Sequence, residues 1–358
     1  MTATPRSEQP FANAPFIVIW EVTRACALAC VHCRAEAIPR RHPDELTTDE
    51  GKRLIDRIAA FEPRPLFVLT GGDPLRRRDV AELVRYGVEQ GLSVSLTPSG
   101  TAAVTRRRLE ELQEAGLARL AVSLDGSTAE AHDNFRRVRG SHRYTMRIAA
   151  DARALGLPLQ INTTVARETV DDLPAIASTV AELGVVLWSL FFLIPVGRAR
   201  AAQALEAEEI EHVLEWAAEQ QQTTPFGIKT TEAPHYHRVL ARHHSGTGPA
   251  HPADSRGVGR AGRAVTDGNG FVFVDHLGAI CPSGFLPLPA GNVRSDDLVR
   301  LYREHPLFRS LRNPDGFGGR CGTCDFRTRC GGSRARAYAA TGDPLAADPG
   351  CSLVAAAA

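Results

Sequence analysis

Three cysteines, Cys26, Cys30 and Cys33, stand at intervals of three and two residues inside one short segment, EVTRACALACVHC. Thiolates so spaced in a single loop are iron–sulfur ligands, and no fourth cysteine follows closely enough to complete a ferredoxin-type run. Three ligands leave one iron of a 4Fe-4S cluster open. The competing assignment is a structural zinc loop, but such loops present two-residue or four-residue cysteine pairs and close a full tetrahedron. A second group, Cys321-x2-Cys324-x5-Cys330-x20-Cys351, brings four thiolates. Four are enough to close another cluster, or a structural zinc site, without help. Cys281 is left over as a buried small hydrophobe, a replacement ligand for Cys351, or a thiol near the substrate. No cysteine lies between Cys33 and Cys281, and clusters of this kind in a reducing compartment are metal ligands rather than disulfides.

These groups need a frame to hold them. Short β-rich runs at residues 16–22, 66–70, 92–97, 117–124, 157–165 and 185–193 alternate with stretches of helical periodicity such as DEGKRLIDRIAAF and RRRLEELQEAG. Gly91, Gly116 and Gly156 fall just past helix ends, where a left-handed cap is wanted. Six β/α units close into a partial barrel or lie flat as a doubly wound sheet, and periodicity does not choose between them. In both, ligands sit at the carboxyl ends of the strands. Cys26 follows the first strand, Gly71 the second, and Ser123 ends the fourth, so all three face one mouth.

A tail at 1–15 precedes the first strand, the main domain runs over 16–242, and the Gly-, Pro- and His-rich stretch 243–266 reads as a linker or loop. Residues 267–358 form the second part, beginning with FVFVDHLGAIC, a hairpin around Leu277 and Gly278. The formal net charge of +1 shows no basic excess for nucleic acid or anionic membrane. No run is long and apolar enough to cross a bilayer or to serve as a signal peptide, which predicts a cytoplasmic protein.

In order along the chain, EVTRACALACVHC, TGGDPL, VSLDG, AHDNFRRVRGS, INTTV and LIPVGRAR resemble the motifs of the radical SAM superfamily. The resemblance spans nearly the whole chain and implies a partial (β/α)6 TIM-like barrel of α/β class. It further implies an open iron that chelates the amino and carboxylate groups of S-adenosylmethionine (SAM), whose reductive cleavage yields a 5'-deoxyadenosyl radical. Gly71, Gly72 and Asp73 match the family's Gly-Gly-Glu-Pro loop, which receives the methionine amino group, with Asp73 replacing the usual glutamate. Ser123 and Asp125 stand where family members contact SAM. Arg136 matches the arginine that pairs with the SAM carboxylate, with Arg137 and Arg139 as alternatives. Asn162 and Pro195 lie in the strand motifs flanking ribose and adenine. His32 stands where the family has an aromatic residue.

The C-terminal part resembles the SPASM extension or its shorter relative, twitch, a β-hairpin plus helix domain. Asp296 and Arg334 occupy two of the full pattern's cysteine positions, which implies one auxiliary 4Fe-4S cluster on Cys321, Cys324, Cys330 and Cys351 rather than two. Within the family the pattern is most similar to enzymes that trim tetrapyrrole carboxylate side chains in heme-type pathways. Arg198 and Arg200 are candidates to hold such carboxylates, while His235, His237, His243 and His244 read as a polar helix face and linker. The resemblance also admits a peptide or small natural-product maturase, and it implies an electron donor such as flavodoxin or ferredoxin. A non-catalytic iron–sulfur or zinc protein is the remaining class, and it leaves the SAM-like residues around the mouth without a purpose.

Overall fold

A computed structural model describes residues 11–243 and 264–355. Seven parallel strands follow in chain order: β1 (Ile17–Glu21), β2 (Leu66–Thr70), β3 (Ser93–Leu96), β4 (Arg119–Ser123), β5 (Leu159–Val165), β6 (Leu187–Phe192) and β7 (Gly227–Thr231). Each neighbours its successor in the sheet. A doubly wound sheet would reverse direction at a switch point; a sequential order with right-handed crossovers puts every helix on one face. The arrangement is therefore the open-barrel alternative, with β7 at one edge. The seventh strand goes beyond the six expected. GIKTT is short and carries one aliphatic side chain, too weak a signal against its neighbours.

The hairpin expected after residue 270 forms as β8 (Phe271–Val274) and β9 (Ala279–Cys281), with Phe273 opposite Cys281, followed by β10 (Gly291–Asn292). It is joined to the barrel rather than separate from it, because β8 pairs in parallel with β1 from Ile17 to Trp20. Of the stretch read as a tail, residues 11–15 pack down: the Phe11 and Asn13 carbonyls accept bonds from Tyr302 (2.7 Å) and Arg303 (2.8 Å). Most of the stretch read as a linker, 244–263, lies outside the described residues, as do 1–10 and 356–358.

The two faces of the sheet have opposite chemistry. Val18, Trp20, Phe67, Leu69, Val94, Leu96, Leu120, Val122, Ile161, Trp188, Leu190 and Ile228 alternate onto the helix-covered face and are fully or almost fully buried in one core. Their intervening neighbours turn inward, and hydrogen-bond register sets Ser123, Asn162, Ser189 and Lys229 in one row across β4 to β7. Core packing holds the sheet, and the inward face is left for polar work. Helix Thr48–Ala59 starts on a capping box from Thr47 to Glu50, and the one at Arg106–Glu114 ends before Gly116, whose φ of +89° meets the expected left-handed cap.

Candidate functional site

The Cys26–Cys33 loop leaves β1 at the barrel mouth and is tied down by backbone before its thiols are considered. Thr23 Oγ1 donates to Glu45 at 2.6 Å, and Cys26 N donates to Ile38 O at 2.8 Å. Gly72 N and Asp73 N donate to Thr23 O and Ala25 O, both at 2.7 Å. A Cβ on Gly72 would lie 2.5 Å from Arg24 O, so only glycine admits this approach. From the far side, Arg198 N donates to Cys33 O (3.0 Å), Arg198 Nε to Cys30 O (3.0 Å) and its guanidinium to Ala37 O (3.1 Å). Arg198 is thus a clamp on the loop through Nε and Nη1, with Nη2 buried and without a partner among the described residues, and Arg200 is exposed. The clamping role was invisible locally, since the partners lie about 160 residues away in sequence.

Donors then meet the sulfurs. Leu28 N lies 3.3 Å from Cys26 Sγ, Ala37 N 3.5 Å from Cys33 Sγ, Ser99 Oγ 3.3 Å from Cys26 Sγ, and the Arg136 guanidinium 3.7 Å from Cys30 Sγ. Burial raises the Cys26 and Cys30 thiols, with the charge of Arg136 acting against it at Cys30, while the Ser99 hydroxyl beside Cys26 donates to Gly72 O at 2.7 Å. Three soft donors with hydrogen-bond donors aimed at sulfur fit an iron–sulfur cluster. Ser99 escaped the sequence reading. Its one signal is a Ser-Gly just past the third strand, at the face where ligands gather.

The remaining positions sort themselves by partner. Arg136 Nε donates to Asp125 Oδ2 at 2.5 Å, and Thr164 N donates to Asp125 Oδ1 at 2.7 Å. Burial alone would raise the Asp125 carboxyl, but the Arg136 guanidinium holds it below its ordinary value. Arg137 and Arg139 are exposed, so Arg136 is the arginine that reaches the loop. Asp73 is fully buried, accepting from Leu75 N (3.2 Å), Ser99 N (3.4 Å) and Thr101 Oγ1 (3.3 Å), and burial raises its carboxyl. Its side chain binds the β2 loop to the β3 loop, while Gly71 and Gly72 supply close backbone. Ser123 and Asn162 face inward in register, with Asn162 Oδ1 accepting from Gln160 at 2.7 Å. Pro195 is half-buried just past β6. His32 stacks on Phe135 with ring centroids 4.2 Å apart.

At the other end, Cys321, Cys324, Cys330 and Cys351 line one cavity. Phe326 N, Gly332 N and Asp348 N point at Cys324, Cys330 and Cys321 sulfurs at 3.4, 3.5 and 3.4 Å. Arg334, standing at a cysteine position of the longer pattern, sends its guanidinium to Cys321 Sγ at 3.6 Å. Asp296, at the other, caps the Gly291 turn through Asn292 N at 2.8 Å. Cys281 lies outside this cavity, on β9, where burial pushes its thiol up to about 12. His235 is a correction: it is buried against the same cavity, with Nε2 3.0 Å from Asp348, rather than on a polar face. His237 and His243 belong to the same helix, Tyr236–His243, and His244 lies outside the described residues. Among the described residues, no three His, Cys, Asp or Glu side chains are arranged around a single metal ion.

Comparison with known proteins agrees with this geometry. The family model described as Radical SAM superfamily matches residues 20–180. The chain is 39% identical over 339 residues to an AdoMet-dependent heme synthase of Methanosarcina barkeri (strain Fusaro / DSM 804), covering 95% of this chain and 97% of that protein. It is also 39% identical to one of Oleidesulfovibrio alaskensis (strain ATCC BAA-1058 / DSM 17464 / G20), covering 97% and 89%. The crystal structure of Streptococcus suis SuiB bound to S-adenosylmethionine superposes with a TM-score of 0.72 at 15% identity, covering 95% of this chain and 78% of that one, a likeness of fold. With the cysteine loop, the strand order and near full-length identity all in agreement, the chain belongs to the radical SAM superfamily.

Proposed function

We propose that Cys26, Cys30 and Cys33 ligate a 4Fe-4S cluster that keeps one iron for SAM, and that the enzyme removes carboxylate side chains from a tetrapyrrole in heme-type biosynthesis. The loop of three thiols, two buried and one half-buried, met by Ser99 and Arg136, is the observation that carries the chemistry. The near full-length identity to heme synthases supports the substrate class. When bound, the cluster and SAM together supply a 5'-deoxyadenosyl radical able to take hydrogen from an unactivated carbon. Hydrogen abstraction at the carbon one removed from the one bearing the carboxylate leaves a radical that expels carbon dioxide, forms a carbon–carbon double bond and gives up one electron, which the auxiliary cluster would accept.

The chain's own residues do the positioning. Gly71 and Gly72 let backbone approach the SAM amino group, Arg136 and Asp125 form a charged wall beside Cys30, and the inward row from Ser123 to Ser189 offers polar contacts to nucleoside and substrate. Cys321, Cys324, Cys330 and Cys351 hold one auxiliary 4Fe-4S cluster, whose complete ligation suits electron transfer. A flavodoxin or ferredoxin supplies the reducing electron. The eight unpaired thiols suit a reducing, cytoplasmic setting, and no helix among the described residues is long and apolar enough to cross a membrane.

The test is anaerobic reconstitution followed by incubation of reduced enzyme and SAM with candidate tetrapyrroles and peptides. The expected outcome is about eight irons per chain, 5'-deoxyadenosine, and a tetrapyrrole lighter by carbon dioxide and two hydrogens for each side chain processed. Intact SAM under strong reductant would sink the radical assignment. A mass change on a peptide, and on no tetrapyrrole, would replace the substrate.

A further inference from the structure

Of the 42 Lys and Arg side chains in the chain, two are lysine: Lys52, on the first helix and ion-paired to Glu82, and Lys229, on β7. A sequence that uses arginine almost everywhere else keeps an amine at Lys229. Register puts this residue on the inward face, beside Ser189 and in line with Asn162 and Ser123. Arg119, the first residue of β4, occupies the same face two inward positions before Ser123.

Neither cation has a hydrogen-bond or ion-pair partner among the described residues. Ser189 Oγ, on a residue with no solvent exposure, also has none. Carboxyls at the ends of β1, β4 and β7 are committed to other partners. Glu21 is held by Arg34 at 2.8 Å and His276 at 3.1 Å, Asp125 by Arg136, and Glu232 accepts from Ser333 at 2.6 Å. Burial and the like charge of Arg119 lower the Lys229 ammonium to about 8. A half-buried charge without a counter-ion is costly, and two of one sign on the same inward face are more so. Such a pair is stable in a working enzyme when the counter-charge arrives with a ligand.

We propose that Arg119, Ser189 and Lys229 form an anion site on the inward face of the barrel, built to receive a carboxylate arm of the substrate that is bound but not cleaved. The guanidinium and ammonium supply charge, and the Ser189 hydroxyl supplies a directed donor. Naming that arm as part of a tetrapyrrole rests on the function proposed above; the anion site does not.

Two measurements on the reconstituted holoenzyme test this. The first follows binding of a free-base tetracarboxylate porphyrin and its tetramethyl ester by absorbance titration. K229M is expected to weaken the acid roughly 30-fold or more and the ester hardly at all, with K229R recovering most of the loss. The thermal midpoint of ligand-free K229M should equal or exceed that of wild type, because an unpaired, half-buried charge has been removed. Equal affinity of wild type and K229M for the acid, or a markedly less stable ligand-free variant, would overturn the site.

The second uses lysine carrying 13C at Cε, which gives two signals, assigned with K52R. A bound carboxylate should move the Lys229 midpoint from about 8 toward 10.5. If no porphyrin binds but an acidic peptide or glutarate produces that shift, the tetrapyrrole reading fails and the anion site stands. No shift with any of these ligands would dismiss the site.

Discussion

The two cysteine groups differ in what surrounds them. The three thiols after β1 are met by side chains from other strands, with Ser99 coming from beyond β3 and Arg136 from beyond β4. The four C-terminal thiols are met largely from within residues 321–351, by Phe326, Gly332, Arg334 and Asp348. The first group is thus assembled by the barrel and open to its mouth, and the second is self-contained. A radical source must touch cofactor and substrate, whereas an electron relay needs only enclosure and a set potential.

Cysteine replacement gives the largest contrast. C30A should remove about four irons per chain and abolish 5'-deoxyadenosine formation. C330A should remove a similar number while leaving SAM cleavage measurable and product absent. Equal loss of SAM cleavage in both would break the division of labour. Next in size is R136M, expected to weaken SAM cleavage about 10-fold to 100-fold with the auxiliary iron retained, read by chromatography of 5'-deoxyadenosine and by Mössbauer spectroscopy.

At the enclosed end, Asp348 is fully buried between Arg336 (3.3 Å) and His235 (3.0 Å), which hold its carboxyl well below the ordinary range against the effect of burial. D348N should cost about 3 kcal/mol in denaturant unfolding of the reconstituted protein and loosen the auxiliary site first. At the open end, a Cβ on Gly197 would meet Arg34 O at 2.4 Å and Cys33 O at 2.5 Å, with φ at +64°. G197A should cost about 1–3 kcal/mol and lower iron occupancy of the first group alone.

The smallest effect is acid sensitivity from His132, whose ring accepts from Asp125 N at 3.1 Å and sits 3.2 Å from Ser141 Oγ. Burial lowers it to about 4 from 6.5. The unfolded chain therefore binds a proton first as pH falls, so stability declines between pH 6.5 and 4 and is flat above that window. H132Q should flatten this decline in pH-dependent melting.

Cysteine spacing and strand periodicity are local properties, so both cysteine groups, six strands and the β8–β9 hairpin can be read from the sequence. Partners joined across the fold cannot. Nothing near Arg198 says that it grips carbonyls in the first loop. Nothing near Ser99 announces a sulfur 73 residues earlier in the chain. Helical periodicity likewise hides that His235, four residues past β7, turns into the auxiliary cavity instead of toward solvent. Lys229 was legible in composition alone, and its place on the inward face required the register of four strands.

The clamp on the first loop has a consequence for maintenance. Arg198, Gly72 and Ile38 hold the loop by its backbone, so its path does not rest on the thiols alone. A loop held in this way is expected to keep its path without iron, unlike a zinc finger that collapses without its ion. An emptied site could then be refilled with iron and sulfide without refolding the chain; recovery of the cluster's absorbance after chelation would check it.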